Sequence, residues 1–156
     1  MLILDSNLLV LYTVGATSRS YISKHKNLKN YTEEDFDILL EIISSVKNVL
    51  VTPNTLTETS NLALQIGNPA KEEIRLCLKR IIELTEESYI KSVDAVRNSH
   101  YSFLGLTDAA LLEFANTGKG PSKITLLTTD LDLYIASFSS KIQSINFNHY
   151  RDNYYG

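Results

Sequence analysis

A chain of 156 residues with 44% apolar content and a formal charge of −3 is long enough to bury one sizeable core. It is too weakly charged to be drawn as a whole to nucleic acid or an anionic membrane, so any polyanion site has to be built locally. The lone cysteine, Cys77, excludes an intramolecular disulfide, and the absence of a basic leader or of any apolar run approaching roughly 18 residues argues against a secretion signal or membrane span and for the cytoplasm.

The first element is a strand, "LIL" at 2–4, followed by Asp5, Ser6 and Asn7, whose short side-chain oxygens accept the open N–H groups of a helix start; residues 7–12 then read as a first helix. A polar stretch over 15–31 leads to a helix capped by Thr32, with Glu33, Glu34 and Asp35 in its first turn and Phe36, Leu39, Leu40 and Ile43 as its apolar stripe. "NVLV" at 48–51 is the second strand, and Pro53 and Gly67 bracket the helix that follows. A helix over 68–84 places Ile74, Leu78 and Ile81 on one face, and further helices are predicted over 86–98 and over 107–120, the last ending in its glycines. "ITLLT" at 124–128 and "IQSINF" at 142–147 are strands flanking a short helix in "LDLYIASFSS". The whole is read as one domain over 1–156, with a tyrosine-rich tail at 149–156 that is either flexible or docked on a partner.

Short strands alternating with helices require crossover connections, hence an α/β fold: a parallel sheet of four to five strands between helices, in three layers. In such a sheet ligands bind outside the carboxyl ends of the strands, which brings Asp5, the "TPNTLTET" segment and Asp130 to one rim. Each acid also has an ordinary use. Asp5 and Asp130 suit helix caps, Glu58 stands three residues after Thr55 as in a capping box, and Asp108 suits the start of a helix. Carboxylates converging on one rim repel, however, unless a cation sits among them. No strand precedes Asp108, so topology alone does not carry it there.

Taken in order, "LDSN" at 4–7, "TETSN" at 57–61, "LGLTDAALLEFA" at 104–115 and "LLTTDLDLYIA" at 126–136 resemble the four acidic motifs of PIN domains, over nearly the whole chain. The resemblance implies a parallel sheet between helices, metal-dependent cleavage of RNA and, for many members, service as the VapC-type toxin of a type II toxin–antitoxin pair. Carried onto this chain, it implies a catalytic centre of Asp5, Glu58, Asp108 and Asp130. Asp5, Asp108 and Asp130 are then the metal ligands, and Asn7, Thr128 and Asp132 give support, Asp132 replacing or joining Asp130. It also implies an antitoxin protein and a second copy of the chain as partners. Two alternatives use a similar fold. One is a PIN-like module that binds RNA or protein without cutting. The other is a response-regulator receiver, against which Asp5 has no acidic neighbour and "NVLVTPN" has no aspartate after its strand.

Carboxylates suit the implied chemistry because Mg²⁺, and likewise Mn²⁺, is a hard cation that prefers oxygen, whereas histidine or cysteine would select other metals. Four carboxylates accommodate one ion or two ions about 3.5–4 Å apart. An acidic pocket repels phosphate until cations surround it, and "RSYISKHKNLK" at 19–29 supplies Arg19, Lys24, Lys26 and Lys29 for the RNA backbone, with Tyr21 available to stack on an unpaired base. Lys71, Arg75, Lys79 and Arg80 fall on the wet face of their helix, and His25, His100 and His149 show no ligand spacing.

Overall fold

Three consecutive apolar residues, buried on both faces, make Leu2–Leu4 (β1) the central strand of a five-stranded sheet in the computed structural model, which describes residues 1–117 and 123–156. The other strands are Val49–Val51 (β2), Glu86–Glu87 (β3), Thr125–Thr128 (β4) and Gln143–Asn146 (β5), in the spatial order β3-β2-β1-β4-β5, with every pairing parallel. Alternation along β1 divides the core. Leu2 and Leu4 face one cluster with Leu8, Leu11, Phe36, Leu39 and Ile74, while Ile3 faces another with Leu50, Leu111, Leu126 and Leu133.

The first face is covered by α1 (Ser6–Thr17), α2 (Glu33–Ser44), α3 (Pro53–Ala63) and α4 (Ala70–Leu84). Helix α1 runs five residues beyond its expected end at position 12 because it is buried on nearly every side; the Thr13 and Thr17 hydroxyls satisfy themselves within it by donating back to the Leu9 and Thr13 carbonyls at 2.7 and 2.8 Å. The polar stretch therefore starts inside a helix. Its remainder folds into 3₁₀ turns at Arg19–Tyr21 and Lys26–Leu28. Buried His25 fastens it, one ring nitrogen lying 2.9 Å from the Ala63 carbonyl and the other accepting the Asn27 N–H at 3.2 Å. Thr32 and Asp35 form the capping box of α2, and Thr52 caps α3 ahead of Pro53.

The helix expected over 86–98 is replaced by β3 and one short turn of helix, α5 (Ser92–Ala95). The reason is tertiary. The outer edge of β2 offers unpaired backbone groups, which Glu86 and Glu87 satisfy in register with Leu50 and Val51; Ser88 N–H adds a bond to the Val51 carbonyl at 2.8 Å. Next come α6 (Tyr101–Leu104) and α7 (Leu106–Thr117), joined by Gly105 at φ +83°, a conformation in which a side chain would be strained. The glycines expected to end α7, at 118 and 120, lie outside the described residues. The second face is covered by α7 and α8 (Leu131–Ser139). The tyrosine-rich end is α9 (Phe147–Tyr155), where Arg151 donates to the Asn30 carbonyl and to Asp35 Oδ2, both at 3.0 Å, and lies over the Tyr31 ring. Among the described residues no helix is long and apolar enough to cross a membrane.

Candidate functional site

Asp5 ends β1 and caps α1, its Oδ1 accepting the Leu8 N–H at 2.8 Å. Only 3% exposed, it uses its other oxygen, Oδ2, for the Thr128 hydroxyl and for the Thr129 N–H at 2.7 Å, both from the end of β4. Thr128 Oγ1 in turn accepts the Asp130 N–H at 2.9 Å, so its own proton is directed at Asp5. Cap and site are therefore one carboxylate. Burial pushes the Asp5 carboxyl above the ordinary aspartate value; these three donors pull against that, and the charge of Asp130 adds to it.

Asp130 is reached from the neighbouring strand and caps α8 through the Leu133 N–H at 2.9 Å. Asp108 and Glu58 come from helices. Glu58 lies midway along α3, and α7 packs against α3 with Asp108 in its first turn, which brings Asp108 to the rim although no strand delivers it. Its environment records the meeting: the Asp108 carboxyl is pushed up to about 7, first by burial and then by the charges of Asp5, Asp130 and Glu58. Asp132, in the first turn of α8 and exposed, is not among the charges acting on Asp5 or Asp108.

The charges of Asp5, Asp130 and Glu58 thus act on Asp108 without the four carboxylates closing on a point. Among the described residues, no three His, Cys, Asp or Glu side chains stand close enough to ligate one ion directly. The donor set is all oxygen, as Mg²⁺ or Mn²⁺ requires, and such ions retain several waters that span the distance to outlying carboxylates. Asp5, Asp108 and Asp130 are the residues that would hold the ion, with Glu58 beside them.

Two cavities of about 470 Å³ each flank the acids. One, on the Glu58 side, is lined by Asn54, Thr57, Asn61, Tyr89 and Thr107. The other, on the Asp5 side, contains Asn7 and Thr129 together with Tyr31, Asn148 and Arg151. Burial foremost, with the charge of Asp5 in support, raises the Tyr31 phenol above its usual value. Tyr31, Asn148 and Arg151 carry no motif that sequence reasoning would single out, since α9 reaches this place only through the fold.

The basic segment is more committed than its sequence suggests. Arg19 pairs with Asp37 and lies 5.4 Å from the Phe36 ring centroid, Lys24 lies over the Tyr21 ring, and the Tyr21 hydroxyl donates to Glu73 at 2.7 Å, which occupies the residue expected to stack on a base. Lys26 and Lys29 are exposed on either side of Asn27, which lines the cavity beside Asp5. Compared with models of known families, with curated proteins and with solved structures, the chain shows no match.

Proposed function

We propose that the chain is a PIN-like, metal-dependent endoribonuclease that hydrolyses RNA phosphodiester bonds with Mg²⁺ or Mn²⁺ held by Asp5, Asp108 and Asp130. The observation that carries this reading is the state of Asp108, whose carboxyl is pushed up to about 7 by burial first and then by the charges of Asp5, Asp130 and Glu58, which reach it from three other places in the fold. Caps alone require one acid per helix and no convergence; charges gathered this way oppose folding and are retained where a cation uses them. A divalent ion held there would supply a water of lowered pKa and offset charge on the phosphate.

The chain's own residues prepare the rest. Thr128 and the Thr129 N–H hold Asp5 in one orientation, Asp130 is fixed by the first turn of α8, and Glu58 stands at the rim as a group able to take a proton. The cavities on either side give a single strand room to cross the acids. The parallel sheet supports the same reading, since its carboxyl edge is where such folds bind ligands.

The test is incubation of labelled single-stranded RNA with the purified chain in EDTA, Mg²⁺ or Mn²⁺, beside Asp5→Asn and Asp108→Asn. Fragments should form only with an ion, and each variant should slow them by orders of magnitude. Equal cleavage in EDTA would overturn the metal, and equal cleavage by both variants would overturn the site. RNA that is bound but left intact would leave the non-cutting PIN-like module. As the toxin of a type II pair, the chain would also have an antitoxin protein as partner and form a homodimer; co-purification with the product of an adjacent gene and a light-scattering mass twice that of the chain are the corresponding checks.

A further inference from the structure

We infer that the cavity beside Asp5 is a nucleobase subsite, which receives the unstacked base of a nucleotide whose phosphate lies at the acidic rim. The inference rests on the RNA reading above for its class of ligand, and adds where a base sits and which bases fit. The cavity, about 470 Å³, lies within the range of roughly 300–1,000 Å³ usual for small-ligand sites, and side-chain amides dominate its lining: Asn7, Asn27, Asn30 and Asn148, joined by Tyr31 and Arg151. No carboxylate lines it, in contrast to the rim next door.

Hydrogen bonds behind the wall orient two of these amides. Asn27 commits its NH₂ to the Leu62 carbonyl at 3.1 Å and to Gln65 Oε1 at 3.0 Å, and Asn148 commits its NH₂ to the Thr129 carbonyl at 3.2 Å. Carbonyl partners leave no doubt which end of each amide is nitrogen, so both residues keep their oxygens as acceptors. The side chains of Asn7 and Asn30 make no hydrogen bond among the described residues and bring both a donor and an acceptor. Arg151 is anchored by Nη1 on Asn30 and Asp35, which holds its planar fork in place with further N–H groups to offer.

Carboxamides pair with base edges through adjacent donors and acceptors, and single-stranded RNA is read at such edges. Fixed acceptors match exocyclic amino groups, which adenine, cytosine and guanine possess and uracil lacks. Thr129 links the cavity to the centre: its N–H holds Asp5, its carbonyl holds Asn148, and it lines the wall.

The experiment is a nitrogen–proton correlation spectrum of the full chain in EDTA, titrated separately with adenosine, cytidine, guanosine, uridine and ribose to the low-millimolar range, nucleosides being used because the acidic rim repels phosphate when no cation is present. Side-chain amide signals of Asn27 and Asn148 should move with the three amine-bearing nucleosides, which should bind more tightly than uridine, and hardly at all with ribose. Asn148→Ala should weaken that binding about fivefold, as expected for one lost hydrogen bond. If that variant does not fold, Asn30→Ala, at an exposed side chain, should give the same direction of change. Unmoved amides, equal shifts with ribose or uridine binding as tightly as the others would each overturn the inference. Because no metal or cleavage enters the measurement, unmoved amides beside intact metal-dependent cleavage reject the subsite alone. Nucleoside binding beside a complete lack of cleavage rejects the ribonuclease and keeps the subsite.

Discussion

Replacing Asp108 by asparagine keeps the shape of the side chain and removes its charge, so the pH dependence of folding in EDTA measures how strongly the acids converge. The folded carboxyl titrates near 7, against an ordinary 3.8 in the unfolded chain. Between those values the folded state holds the proton more tightly, so the proton's contribution is complete below about pH 4, declines as pH rises towards 7 and is absent above it. A displacement of that size is worth about 4 kcal/mol at full value, and partial exposure of the side chain reduces it to roughly 2–4 kcal/mol. Asp108→Asn never carries the charge. At pH 8 in EDTA it should therefore exceed the wild type in stability by roughly 2–4 kcal/mol, or about 5–15 °C in Tm for a chain of this size, and the two should draw level near pH 4. Asp5 is also raised, and because its charge acts on Asp108 the difference between the two proteins reports the interacting pair. Thermal melts across pH 4–8 provide the assay. Addition of Mn²⁺ at a hundredfold excess over Kd should then favour the wild type by about 2.7 kcal/mol and the variant by less. Wild-type and variant stability curves that run parallel over the whole pH range would refute the reasoning.

The Mn²⁺-induced rise in Tm should be reduced in Asp130→Asn and unchanged in Asp132→Asn, because only Asp130 acts on the other acids; the opposite ranking in the same melts would reassign the ligand. Gly15→Ala should destabilise the fold by about 1–3 kcal/mol in urea titrations, although alanine favours helices, because the added methyl meets the ring of Phe36 where α2 crosses α1; a neutral or stabilising result would mean that the ring yields freely. Arg151→Ala should cost about 1–3 kcal/mol by leaving the nearly buried Asp35 without its guanidinium, and a loss below about 0.5 kcal/mol would show that α9 is not secured by this pair. Replacing Lys24, Lys26 and Lys29 together by alanine should weaken RNA binding at low salt and flatten its dependence on salt, whereas an unchanged slope would place the RNA backbone elsewhere.

Local pattern by itself determined the class of this protein. Runs of apolar residues at 2–4, 48–51 and 124–128, separated by helices with Thr32 and Pro53 at their starts, already require crossovers and a parallel sheet, because strand length and helix capping are properties of neighbouring residues. Asp5 and Asp130 were legible for the same reason: each stands within two residues of a strand's end, and the carboxyl edge of a parallel sheet collects such residues. Tertiary structure decided what no neighbour dictates. Glu86 and Glu87 become a strand rather than a helix only because β2 has an open edge. Thr129, silent in the sequence, becomes the residue whose N–H orients Asp5. Asp108 owes its place among the acids, and its raised carboxyl, to the packing of α7 on α3, and Arg151 reaches Asp35 and Tyr31 only because β5 turns the end of the chain back over the start of α2. Such contacts join residues far apart in the chain, and their energies depend on burial and on charges brought close by folding, neither of which a linear pattern encodes.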